Sequence, residues 1–499
     1  MALDRSAKAF ALHPSGNAKV LAGRRRSDPD GRRATALAER RGSALPAWAQ
    51  AADFLFLALV AIAATVAASG GSRVNFGDWR VSLTSSRRPL LAAALVVGVR
   101  HLVVRQYPIH VHVLARVNAW SRSTALRTAL AASVGTRPVI FFTGFMAVVL
   151  FGYAGGAAPW RDFENELLNL PLRWDAGWYL QIAVHEYSFV HQAGPEFQQN
   201  IVFFPAYPMA VRALALMLGE NKLAYVASGT VISVAAFVFA LTYLFLLARD
   251  YLDDEGAAAA VWMVAAYPFA IFHGAIYTES LFLLASLGAF YHFRREEYVR
   301  AGVWGLIAGL TRPNGIFLSV PLALLALSRA HRRYVATGLV TAAMCAIGTL
   351  VYSLFIWNLT GHPLTWAAGH AAWGRHYQGV LHLVTERYDV IRHAGLYSYA
   401  VQSPYDLLNG LGALFVLAAA LPVWRRFGLP FAVFIVINML PPLATGGLLS
   451  AGRFSAVLFP AFMWLASVVR PAHRAGWIAS FAALQALNAS LFYTWRPLY

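Results

Sequence analysis

Between Leu223 and Ala248, and again between Tyr334 and Trp357, the chain runs without one charged side chain. Each stretch is long enough for the roughly 20 residues that cross hydrocarbon as a helix. Comparable blocks recur along nearly the whole of the 499 residues. This pattern predicts an all-α polytopic membrane protein with about thirteen spans. Composition agrees, because 59% of the residues are hydrophobic and 13% charged, against roughly a quarter charged in soluble domains. Too little polar side chain remains to coat a water-facing surface.

The formal net charge of +18 comes from short Lys and Arg clusters between apolar blocks. It is not gathered in one basic stripe with interleaved aromatics, so the charges read as topology determinants and nucleic acid is not an expected partner. Cys345 is the single cysteine and lies inside an apolar block, which excludes a disulfide framework or a thiolate metal cluster.

Residues 1–47 hold Arg24, Arg25, Arg26 and the pairs Arg32-Arg33 and Arg40-Arg41. They read as a disordered basic tail on the cytoplasmic side of the inner (plasma) membrane, in contact with membrane lipid. Residues 48–136 then read as N-terminal membrane segments, from Asp53 to Ala68 and Pro89 to Val104, and a basic cytoplasmic linker, with Arg105, Arg116, Arg122, Arg127 and, just past it, Arg137 on the cytoplasmic side. Residues 137–499 read as the main transmembrane domain, with a first span from Pro138 to Tyr153 and outer loops at 158–203 and 358–403. Phe203 to Leu218 is short, broken by Pro205 and Pro208, and carries Arg212. Reading it as an interfacial helix puts Arg294-Arg295, Arg329, Arg425-Arg426 and Arg470 on the cytoplasmic side, as the positive-inside rule requires. Later spans are expected at 223–248, 257–273, 279–293, a hairpin turning at Arg312-Pro313-Asn314-Gly315, 334–357, 407–423, 427–443, 454–469 and 476–493. The polar groups Asp175, Glu279, Arg312, Asn314, Arg375, His376 and Arg453 then fall on the extracytoplasmic side.

Each of these groups has a plain structural alternative. Asp175, in PLRWDAGWYLQIAVHEY (Pro171–Tyr187), is a carboxylate beside apolar surface, where charge is costly and tends to be kept for pairing or proton transfer; the alternative is a structural pair with Arg173. Trp174, Trp178 and Tyr179 read equally as an interfacial belt. In YTESLFLL (Tyr277–Leu284), Thr278 and Glu279 suit a helix N-terminus. In TRPNG (Thr311–Gly315), Arg312 sits in a helix break tolerated only beside protein or a polar cavity; it either binds a phosphate or holds carbonyls. HAAWGRHY (His370–Tyr377) and LLSAGRF (Leu448–Phe454) add further cations.

Taken in order, RWDAGWY, VFFPAYP, YTESLF, TRPNG, TGHPLTWAAGHAAWGR and SAGRF resemble the PIG-V-type mannosyltransferases, particularly their bacterial relatives, from about Leu172 to Leu465. The resemblance implies a GT-C-class helix bundle with loop and interfacial helices, a polyprenyl-phosphate sugar donor, and an acid in the first large extracytoplasmic loop, here Asp175. Many GT-C enzymes carry two adjacent acids there; this chain has Ala176 after its Asp. The expectation is an inverting transfer of a hexose, mannose by resemblance, to a lipid-linked or cell-envelope glycan acceptor, with no cofactor and no metal-ligand spacing. Asp175 would act as base; Arg312, Arg375 and Arg453, with Arg173, Asn314 and His376, would hold the phosphate. Glu279 would orient Arg312 or the sugar, and Trp178 and Tyr179 would stack on a sugar face. Two rival readings remain open from the sequence: a transporter or flippase for a lipid-linked sugar, which needs no base, and a membrane scaffold, for which Asp175 is dispensable.

Overall fold

The computed structural model describes residues 47–69, 72–76, 79–83, 87–104, 118, 121–191, 194, 196–328 and 332–498. The basic tail, Arg105, Arg116 and Arg329 lie outside the described residues. The chain divides into two units, Met1–Ala64 with Ser85–Val113 and Thr65–Thr84 with Leu114–Tyr499.

In the first unit, α1 (Ala47–Ser69) and α2 (Arg87–Val103) are joined by a buried ion pair. Arg100 Nε lies 2.8 Å and its Nη2 3.0 Å from the two carboxylate oxygens of Asp53. That fork-to-fork pairing explains how an arginine is carried inside an otherwise apolar helix.

The second unit begins with a two-stranded antiparallel hairpin, β1 (Ser72–Phe76) and β2 (Trp79–Leu83), paired from Ser72↔Leu83 to Phe76↔Trp79. It adds one β element to an expectation of helices alone, and its alternating Val, Phe and Trp side chains suit a short strand pair. Then follow α3 (Thr124–Phe151), α4 (Ala176–His185), α5 (Ala206–Met217), α6 (Lys222–Ala248), α7 (Asp254–Ala266), α8 (Glu279–Arg294), α9 (Tyr298–Thr311) and α10 (Ser319–Leu327). The chain continues with α11 (Arg332–Thr360), α12 (Val380–Ala394), α13 (Leu396–Gln402), α14 (Pro404–Phe427), α15 (Leu429–Gly446), α16 (Ala451–Ser455), α17 (Phe459–Val468) and α18 (Pro471–Tyr493).

Among the described residues, six helices are long and apolar enough to cross a membrane: α3, α6, the stretch Tyr334–Thr360 of α11, α14, α15 and α18. The chain is a multi-pass helical membrane protein. α5 is a 12-residue amphipathic helix, too short to span, in keeping with an interfacial position. α9 and α11 pack closely because Gly309 has no side chain: a Cβ there would lie 2.0 Å from the carbonyl oxygen of Cys345. Small residues at this spacing let membrane helices touch backbone to backbone.

Two expectations are corrected here. The helix expected to begin at Pro138 starts about four turns earlier, at Thr124. Arg137 therefore lies inside α3, buried, and is not a charge of a cytoplasmic linker. The span expected over Ala257–His273 is α-helical only to Ala266, followed by a segment broken but for the 3-10 turn Ala270–His273 up to α8. The two corrections share one cause. Unwinding exposes carbonyls that hydrocarbon cannot satisfy, and buried side chains meet them. Arg137 donates to the carbonyl oxygens of Ala270 and, at 2.8 Å, Ala265. Gln485 on α18 donates to Ala265 at 3.0 Å and Tyr267 at 2.8 Å, and Asn488 to Pro268 at 3.1 Å. The segment so held delivers Tyr277, Thr278 and Glu279 to the site.

Candidate active site

A cavity of about 1080 Å³ opens among α4, the Asn200–Val202 turn, the α9–α10 break, α11, the loop after it, and the α15–α16 junction. Its polar lining comprises Asp175, Arg312, Asn314, Arg375 and Arg453, with Tyr179 and Thr278. Its apolar lining includes Ile316 and Phe317 beside the α10 start and Ala343, Ala346, Ile347 and Leu350 from one face of α11.

Asp175 precedes the first residue of α4, the usual place for a carboxylate to cap its own helix. It makes no such cap bond, so its oxygens are left for the cavity. Its side chain is 22% exposed, and Oδ2 lies 2.5 Å from Arg453 Nη1. Arg453 turns its Nε to Glu279 Oε1, and Arg312 Nη1 reaches the same oxygen at 2.9 Å. Glu279 is wholly buried. Two guanidinium groups and two carboxylates thus form one chain, from Arg312 to Glu279 to Arg453 to Asp175, and their charges balance. Such a chain is worth keeping in a dry interior only when each member is paired.

Arg375 stands apart from that balance. Among the described residues it has no carboxylate within ion-pair distance; its Nη2 donates to the Leu449 carbonyl at 3.4 Å. Its guanidinium sits 5.5 Å from the Phe454 ring centroid, and that of Arg312 is 4.9 Å from the same ring. Enclosure and the nearby Arg453 charge push Arg375 down to about 10, still a cation at neutral pH. The cavity therefore carries one uncompensated positive charge.

Tyr277 fixes the carboxylate's place. Its hydroxyl accepts the Asp175 N–H at 3.0 Å and donates to the Arg173 carbonyl at 3.3 Å, while Arg453 lies 4.4 Å over its ring. Backbone strain gathers here too. Of the six described non-glycine residues with left-handed φ, two flank the site, Trp174 (φ 57°) one residue before Asp175 and Ser450 (φ 62°) three before Arg453. Conformations of this kind persist where the surroundings enforce them.

Several sequence expectations change. Arg173 is neither a phosphate ligand nor the partner of Asp175. It is fully buried away from the cavity, paired with Glu166, and donates to Tyr493 O at 2.9 Å and Asn169 O at 2.8 Å. The left-handed turn at Trp174 sends neighbouring side chains to opposite sides. His376 is exposed and does not line the cavity. Trp178 packs on Phe203 at 5.8 Å and Trp373 at 5.6 Å and likewise leaves the lining. Tyr179 does line it, with its hydroxyl 3.3 Å from that of Thr278; Thr278 itself makes no helix cap. Asn314 lines the cavity and donates to Asn438 at 2.9 Å. Glu186, in the same motif as Asp175, is 69% exposed and paired with Arg212. Tyr277, Phe454, Trp366 and His370 were passed over, although each stands inside a motif already singled out. No group of three or more His, Cys, Asp or Glu among the described residues is placed to hold a metal ion.

Residues 160–365 match the family described as Mannosyltransferase (PIG-V). The motif resemblance holds over that segment, which carries Asp175, Glu279 and Arg312. Over 148 residues the chain is 29% identical to GPI mannosyltransferase 2 of Schizosaccharomyces pombe, covering 29% of this chain and 30% of that protein. The chain thus spans less than a third of that relative's length. Among solved structures, the Archaeoglobus fulgidus oligosaccharyltransferase in its apo form aligns over 74% of this chain and 56% of its own, with 14% identity and a TM-score of 0.39. The same organism's oligosaccharyltransferase AglB, in complex with an inhibitory peptide and a dolichol-phosphate, aligns over the same shares with 12% identity and a TM-score of 0.38.

Proposed function

We propose that the chain is a membrane glycosyltransferase of mannosyltransferase type. It moves a hexose from a polyprenyl-phosphate sugar to a lipid-linked or envelope glycan acceptor, on the extracytoplasmic face of the plasma membrane, with inversion at the anomeric carbon. The observation that carries this reading is the cavity itself. A half-buried carboxylate unspent on its own helix, an arginine without a counter-ion among the described residues and a series of apolar side chains face one space.

Those three features match the three parts of the reaction. Asp175 takes the proton of the acceptor hydroxyl as its oxygen forms the bond to the anomeric carbon; base catalysis of this kind contributes roughly 10²–10⁴-fold. The bond from that carbon to the phosphate oxygen breaks, and its electron pair leaves with polyprenyl phosphate. Arg375 meets the phosphate, with Arg312 and Arg453 behind it, since a guanidinium fork suits its oxygens. The prenyl chain lies along Ala343, Ala346, Ile347 and Leu350, three of which are exposed along α11 and open toward lipid.

The test is the purified protein in nanodiscs, supplied with a panel of polyprenyl-phosphate sugars and assayed for release of polyprenyl phosphate. Release with transfer to an acceptor supports the enzyme. Movement of the intact sugar lipid between leaflets without release supports a flippase instead.

A further inference from the structure

The loop that carries Arg375 into the cavity continues into a helix with a half-covered apolar surface. α12 is 15 residues long, about 22 Å, and its Glu386, Arg387, Asp389 and Arg392 exclude a span. It is strongly two-sided. Leu383 is buried against the protein, while Leu381, Val384 and Tyr388, three and four residues apart, are 77%, 57% and 61% exposed. His382, Glu386, Asp389 and His393 occupy the opposite arc, and Arg392, four residues after Tyr388, borders the apolar face with a stem long enough to carry its charge to the headgroups. α13 repeats the pattern with Leu396, Tyr397 and Val401 exposed at 60%, 83% and 62%.

Connectivity fixes where this surface lies. α13 ends at Gln402 and the membrane-spanning α14 begins at Pro404, so a single residue separates them. α13 must sit at the membrane boundary, and Gly395 alone joins it to α12. On α14 itself Leu411 and Leu414 are likewise exposed, at 54% and 64%. The inner side is fastened at both ends. The backbone N–H groups of Gln378 and Gly379 donate to the Ala444 carbonyl at 2.9 and 3.0 Å, and Arg387 and Tyr399 meet Asp406 on α14 at 2.6 and 2.7 Å.

We propose that α12 and α13 lie in the lipid leaflet at the face of the membrane that holds the Arg375 loop, with Leu381, Val384, Tyr388 and Tyr397 set among the acyl chains and headgroups. Amphipathic helices with aromatic and aliphatic residues on one side and charge on the other bind bilayers in this way. The consequence reaches the cavity: residues 363–375, which bring Trp366, His370 and Arg375 into it, are held between α11 and a helix that the leaflet keeps in place.

The test uses the full chain in phosphatidylcholine nanodiscs, with single nitroxide labels on cysteines at Leu381, Val384 and Tyr388, and at Glu386 and Asp389 as polar-side controls. The native Cys345 is buried. Collision with oxygen should exceed collision with a water-soluble nickel chelate at the first three positions and fall below it at the controls. Nickel access equal at all five overturns the proposal, and dipolar broadening between labels on two copies assigns the stripe to a protein interface instead. A triple variant, Leu381→Asp, Val384→Asp, Tyr388→Asp, should exchange backbone amides of 364–375 at least several-fold faster than the parent in the same nanodiscs, with α11 unchanged. Equal exchange in 364–375 removes the link to the cavity.

Discussion

Glu279→Gln tests whether the buried ionic chain is one unit. The wild-type chain holds two guanidinium groups and two carboxylates, and Glu279, with no exposed surface, receives both Arg312 and Arg453 on one oxygen. The amide keeps an acceptor but loses the charge, leaving two buried cations to share Asp175. Stranding a buried charge costs about 3–5 kcal/mol. Arg312→Met alone removes a hydrogen bond between charged groups, about 1.5–3 kcal/mol, and leaves two carboxylates to Arg453. The double variant restores balance, one guanidinium to one carboxylate. It should therefore be less destabilised than the sum of the singles by about 0.5–3 kcal/mol, the range found for residues in one network. The assay is unfolding of the purified protein in mixed micelles, followed by helicity and tryptophan emission. If the two single losses add to within about 0.5 kcal/mol, the groups do not act as a unit and the site's electrostatics must be redrawn.

Arg375→Ala should leave folding intact, because no carboxylate depends on it, and should weaken binding of a polyprenyl phosphate by roughly 10–150-fold, the equivalent of one charge-assisted hydrogen bond; titration with the lipid in nanodiscs reads this directly. Ala346→Trp fills the apolar wall and should penalise long prenyl chains more than short ones, seen as a KM that rises with chain length while the short-chain kcat is kept. His370, which lines the cavity, is held down to about 4 from its ordinary 6.5 by enclosure and by Arg375. Between those values the unfolded loop binds a proton that the folded one refuses, so stability rises with pH through that window and is lost on acidification. Proteolysis of the 361–379 loop should therefore accelerate from pH 6.5 toward 4.5, and His370→Gln should flatten that dependence.

Much of this was legible in the sequence because hydrocarbon imposes a simple grammar. Uncharged blocks became helices, the Arg-Pro-Asn-Gly break became a turn beside a cavity, and Asp175, Glu279, Arg312, Arg375 and Arg453, spread over almost three hundred residues, do converge. What the pattern hides is direction. Arg173 and Asp175 are two residues apart, yet the left-handed Trp174 turns one into the core and the other into the cavity. Charge counting likewise misplaced Arg137, since a cation that satisfies unwound carbonyls inside the bundle looks, in sequence, like one that faces the cytoplasm. Tyr277 escaped notice because its role, bridging the Asp175 amide and the Arg173 carbonyl, exists only once the two segments meet.

The most direct test of the central claim is Asp175→Asn. Asparagine keeps the size and an oxygen for Arg453 but has no basicity. The purified variant in nanodiscs should be monodisperse, should bind the polyprenyl-phosphate sugar as the parent does, and should transfer sugar about two to four orders of magnitude more slowly. Transfer at close to the parental rate, in a variant that folds and binds donor, would contradict the assignment of Asp175 as the base.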